Sequence, residues 1–133
     1  MDPVVHFEMP YEDSGRMAGF YNAVFGWQTQ AFGERGAPGD YVLATTTERD
    51  EKTGRPKSPG AINGGFYPKK SDWPAQYPSV VIAVDDIRQS MKKVEKAGGK
   101  VLGETTDTGV GLYVSFFDTE GNRVAMIQPP PGM

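Results

Sequence analysis

Residues 13–26, DSGRMAGFYNAVFG, and residues 86–99, DIRQSMKKVEKAGG, decide the fold. Each stretch opens on an aspartate, whose carboxylate can accept from the free amides of a helix's first turn, and closes on glycine, which tolerates the left-handed turn that ends one. Asp13 and Asp86 are 73 residues apart, as are Gly26 and Gly99. In the first stretch Asp13 or Ser14 is the expected cap, and Met17, Phe20, Tyr21, Val24 and Phe25 recur at i, i+3, i+4, i+7 and i+8, a wide apolar stripe. In the second, Asp85 or Asp86 caps a helix whose buried side is Ile87, Met91 and Val94.

Each helix is preceded by one strand-like run and followed by three. Before the first lies Val4–Met9, with a turn at Pro10–Asp13; after it lie Trp27–Phe32, a turn-rich loop at Gly33–Gly39, Tyr41–Thr47 and Ala61–Tyr67. Around the second lie Ser79–Val84, Lys100–Glu104, Leu112–Phe117 and Val124–Gln128. Tyr41-Val42 is echoed by Tyr113-Val114 at an offset of 72; beyond the charged segment Glu48–Pro59 the offset shrinks to about 62, which sets Asn63 against Ala125. That segment reads as an exposed, mobile loop inserted in the first copy, and Pro68–Pro78, with four prolines, as a linker. The expected fold is α+β: two tandem βαβββ modules, about 4–67 and 79–129 of one domain spanning 1–133, whose sheets curl around a shared cavity.

Composition narrows the chemistry. The 133 residues contain one histidine and no cysteine, and the formal charge is -3. Disulfides, thiolate nucleophiles and Cys-based metal sites are excluded, and one chain cannot build a multi-histidine site. A pI near 5.1 without a basic stripe argues against nucleic acid as a partner. No apolar run is long enough to span a membrane, and no signal peptide is legible in MDPVVHFEMP, so a cytoplasmic protein is expected.

His6 and Glu8 lie two apart on a strand and share one face, opposite to Val5 and Phe7. An imidazole beside a carboxylate can exchange protons near neutral pH, Glu8 raising the His6 pKa, acting as a base or binding an amine. The alternative is a histidine bonded within the sheet and a carboxylate paired with Arg123 or a lysine. Asn63-Gly64-Gly65 can present an amide to a closely approaching ligand, or form an ordinary hairpin turn. The hydroxyls of Tyr41 and Tyr113 can orient a substrate or be satisfied in a core. Trp27 reads as packing and Trp73 as a pocket mouth or dimer contact. Arg88–Lys96 is a solvated helix face, and Gly109–Gly111 lacks the spacing of a nucleotide fingerprint.

Phe20–Trp27 (FYNAVFGW), Ala61–Tyr67 (AINGGFY), Val84–Val101 (VDDIRQSMKKVEKAGGKV) and Asp118–Gln128 (DTEGNRVAMIQ) together resemble the vicinal oxygen chelate superfamily, which includes glyoxalase I, bleomycin- and fosfomycin-resistance proteins and extradiol dioxygenases. The resemblance runs from about Val4 to Pro129 and implies paired βαβββ modules, usually in a homodimer, with a small-molecule pocket. In metal-dependent members four strand positions hold a divalent ion. Carried over singly, they match His6, fifteen residues before Tyr21, then Asn63, Ser79 and Ala125. One strong ligand out of four remains; Asn and Ser oxygens are weak donors for a transition metal and Ala is none. Glu8 adds one carboxylate, short of the three protein ligands typical of catalytic zinc. No cofactor is therefore expected, with His6 as the metal ligand if any.

The resemblance implies either an enzyme or a binder. As a glyoxalase-type lyase or isomerase, the chain would use His6 and Glu8 for proton transfer, with Asn63, Ser79 and Tyr113 on the substrate. As a binder it would sequester a drug or metabolite without catalysis. A dimerising module with a vestigial pocket is the third reading.

Overall fold

The computed structural model describes residues 1–32 and 41–131, so the loop expected at Gly33–Gly39 lies outside the described residues. The architecture is mixed α+β and follows the duplicated order. The first module comprises β1 (Val4–Tyr11), α1 (Ser14–Phe25), β2 (Gln28–Phe32), β3 (Tyr41–Thr45) and β4 (Asn63–Pro68). The second comprises β5 (Ser79–Ala83), α2 (Ile87–Lys96), β6 (Lys100–Asp107), β7 (Leu112–Phe117) and β8 (Arg123–Gln128). The chain divides into two compact units, His6–Pro78 and Ser79–Met133 joined by Met1–Val5.

In the first unit the strands run β2-β3-β4-β1, antiparallel except for the parallel pair β1–β4. Alternation along each strand sends Phe7, Met9 and Tyr11 of β1, Val42 and Ala44 of β3 and Phe66 of β4 to the face that α1 covers. Trp27 stacks on Tyr21, with ring centres 4.6 Å apart, and lies over Phe66. Trp27 is thus a packing residue. The strand β1 outlasts the turn expected at Pro10, because parallel pairing with β4 carries it on to Tyr11, opposite Pro68.

The helix α1 starts at its Asp13 cap, which accepts from Arg16 N, and ends at Gly26 with φ +74°. Its apolar stripe divides. Met17 and Tyr21 pack on the core, whereas Phe20, Val24 and Phe25 remain 55, 56 and 62% exposed. The stripe is wider than the sheet beneath it can cover.

The second unit runs β5-β8-β7-β6, with β5 parallel to β8. Asp86 caps α2, accepting from Arg88 N and Gln89 N, while Gln128 at the end of β8 accepts from Ile87 N. Ile87 is fully buried with Val84, Val114 and Met126, and Met91 and Val94 pack beside them. The expected buried side of α2 is the observed one.

The charged segment after β3 is exposed but locally built. Arg49 bridges Pro56, and the Asp50 carboxylate accepts from Lys52 N and Thr53 N, which holds its pKa below the usual aspartate value. This correction to a patternless mobile loop has a plain cause: an Asx turn is set by one side chain and needs no periodicity. Among the described residues no helix is long and apolar enough to cross a membrane.

Candidate functional site

Strand register places the candidate residues. On β1, His6 stands across from Asn63 and Glu8 across from Gly65. On β5, Val81 stands across from Ala125, and Ser79, two residues earlier, donates its hydroxyl to the Arg123 carbonyl at 2.8 Å. The core faces agree: Val42 pairs with Phe66 as Val114 pairs with Met126. The true offset between the last strands is therefore 60 residues, and the counterpart of Ala125 is Gly65, not Asn63. The offset read from sequence was two residues out because an insertion between strands hides their register. Asn63 corresponds to Arg123 instead.

The space beside Gly65 is filled from within the chain. A side chain there would run into the hydroxyl and ring of Tyr41, and one at Gly64 would run into the ring of Phe7. The two glycines thus admit two aromatic rings, one on each face of β4, and the close approach anticipated for a ligand is made by the protein itself. The Tyr41 hydroxyl reaches His6 Nε2 at 2.8 Å.

Burial pushes the His6 pKa down to about 4, since desolvation disfavours the imidazolium. The expectation of a histidine raised toward neutrality by Glu8 is reversed: His6 is an uncharged imidazole at physiological pH. Glu8, on the same strand face, is itself only 9% exposed.

Asn63 opens β4 instead of making a hairpin turn. Its carbonyl oxygen accepts from Thr46 N at 2.7 Å and Thr47 N at 3.1 Å, securing the chain where β3 ends. His6, Glu8 and Asn63 thus share the first unit with Tyr41, while Ser79 and Tyr113 belong to the second. Tyr113 is half-buried on β7, opposite Ile127. The Trp73 ring lies tilted against Tyr67 beneath the Lys70 ammonium, within a turn closed by Gln76.

The donor set does not fit a chelated metal. Gly65 and Ala125 offer no ligand atom, the Ser79 hydroxyl is engaged by a carbonyl, and His6 Nε2 is engaged by Tyr41. Among the described residues no group of three or more His, Asp or Glu could hold an ion.

Tyr41 and Gly65 are the site features that sequence reasoning underrated. The available signal was the core pattern: aligning Phe66 with Met126 beside Val42 and Val114 gives the correct register.

Comparison with known proteins identifies the family. A glyoxylase-like domain-containing protein of Didymella fabae is 32% identical over 127 residues, covering 92% of this chain and 91% of the relative. The anthracycline biosynthesis protein DnrV of Streptomyces peucetius is 31% identical over 130 residues, covering 90% of this chain but 44% of DnrV. The crystal structure of methylmalonyl-CoA epimerase from Mycobacterium tuberculosis shares the fold at 12% identity, with a TM-score of 0.66 over 96% of this chain and 88% of that one. The model of the Glyoxalase/Bleomycin resistance protein/Dioxygenase superfamily matches residues 4–126. With duplicated βαβββ modules and matching relatives in agreement, the chain belongs to the glyoxalase/bleomycin resistance/dioxygenase superfamily.

Proposed function

We propose that the chain is a metal-independent small-molecule binder that sequesters an organic ligand on the first-module sheet face opposite α1. The observation that carries this reading is the Tyr41 hydroxyl against His6 and over Gly65, a fixed polar group where a ligand side chain would otherwise stand. By strand alternation Leu43 and Tyr67 lie on the same face and supply apolar surface. The description of DnrV as an anthracycline biosynthesis protein supports an organic small molecule as the ligand class. The proposed setting is a cytoplasmic homodimer that needs no cofactor.

The test is a thermal-shift screen of organic metabolites and drugs on protein purified without chelator, paired with metal analysis. A binder raises the unfolding midpoint by mass action, and the protein carries no stoichiometric metal. A tightly held equimolar metal overturns the proposal, as does a broad screen without a stabilising compound.

A second reading, a lyase or isomerase, is favoured by one observation: Glu8 is a buried carboxylate on the face that carries His6. It requires turnover that Glu8→Gln abolishes while the protein stays folded.

A further inference from the structure

His6 has two ring nitrogens, and the fold treats them differently. Nε2 is taken by Tyr41 at 2.8 Å. His6 as a whole is half-buried, and the hydrogen bond its ring makes among the described residues is the one at Nε2, which leaves Nδ1 as the other polar atom of the ring. In an uncharged imidazole one nitrogen donates and the other accepts, and the partner of one decides the role of the other. A phenol is a better proton donor than acceptor, and an unprotonated imidazole nitrogen is a good acceptor.

We infer that Tyr41 is a positioning residue: its hydroxyl donates to Nε2, fixes the ring proton on Nδ1, and makes Nδ1–H the donor that meets a ligand's carbonyl or carboxylate oxygen. Gly65 is part of the device, because any side chain there displaces Tyr41. The assignment rests on the small-molecule reading and narrows it to ligands carrying an unprotonated oxygen.

The single histidine makes the experiment direct, since imidazole signals in a nitrogen–proton NMR spectrum need no assignment. The protein at neutral pH is expected to show the Nδ1–H tautomer. Tyr41→Phe is expected to move it to the Nε2–H form that an unconstrained imidazole prefers. Gly65→Ala should do the same; if that variant fails to fold, Tyr41→Phe decides alone. An Nε2–H tautomer in the parent protein, or an unchanged tautomer in Tyr41→Phe, overturns the inference.

Benzoate and benzylamine then probe the polarity of the site. Benzoate is expected to shift Nδ1 and its proton, and to bind about tenfold more weakly to Tyr41→Phe, the worth of one hydrogen bond. The benzylammonium ion, which offers only donors, should leave Nδ1 unmoved. Benzoate without effect on Nδ1 overturns the oxygen-acceptor assignment. The tautomer measurement needs no ligand, so its failure is distinct from failure of the binding proposal, which the compound screen decides.

Discussion

The two modules share a backbone plan and differ in what they place on the sheet face away from the helix. His6, Glu8, Tyr41 and Gly65 of the first correspond to Ser79, Val81, Tyr113 and Ala125 of the second. On the helix side Val42 and Phe66 are matched by Val114 and Met126, all of them buried. The helix-side face is constrained by close packing, which requires an apolar group at every position. The other face is free to diverge, and it has: the second module buries Val81 and Ala125, at 2 and 3% exposure, where the first holds Glu8 and Gly65. The imidazole and carboxylate of His6 and Glu8 have a hydroxyl and an isopropyl group as their counterparts in the second module, Ser79 and Val81.

The largest expected effect that breaks the symmetry comes from pH. The folded His6 pKa of about 4 lies below the ordinary 6.5, so the unfolded chain takes up the proton first as pH falls. Stability from this group is therefore complete above pH 6.5 and lost as pH drops through that value toward 4, roughly 3 kcal/mol in all. Urea unfolding at stepped pH should show a steeper loss for the parent protein than for His6→Gln. Equal slopes would place His6 in water. Ser79, the counterpart in the second module, contributes no such slope.

A smaller effect separates Gly65 from Ala125. Gly65→Ala inserts a methyl into space held by Tyr41 and should cost about 1–3 kcal/mol. The reciprocal Ala125→Gly removes a buried methyl and adds chain freedom, costing about 1 kcal/mol. Chemical denaturation of both variants reads the difference, and equal costs would mean that Tyr41 yields freely.

The smallest effect sharpens the contrast between the helices. Val24→Ser on the exposed side of α1 should change stability by less than about 0.5 kcal/mol. Val94→Ser, on the packed side of α2, should cost several times more.

Helix ends were legible because caps are local: Asp13, Gly26 and Asp86 act on amides and carbonyls within a few residues of themselves. Most strand ends were legible within one or two residues, Leu112–Phe117 as read and Ser79–Ala83 one residue shorter, while Lys100–Asp107 runs three residues past its expected end at Glu104. Which apolar residues of α1 are covered was not legible, since Phe20, Val24 and Phe25 continue the periodicity of Met17 and Tyr21 beyond the width of the core. The candidate site was half legible. His6 and Glu8 follow from strand alternation, but Asn63 has its carbonyl oxygen taken by the amides of Thr46 and Thr47. That role depends on where β3 ends, which no feature of Asn63-Gly64-Gly65 encodes.

The sequence by itself determined the duplication, the two helices and their aspartate N-caps, the address of the lone histidine and the poverty of metal ligands. These depend on residue identity and on spacings short enough to count. Only the tertiary structure decided the register between strands, and with it the placing of Tyr41 over Gly65 and against His6, 35 residues away in the chain. Pairing between distant strands is set by how two faces pack at once, and burial, which holds His6 uncharged, exists only after they have packed.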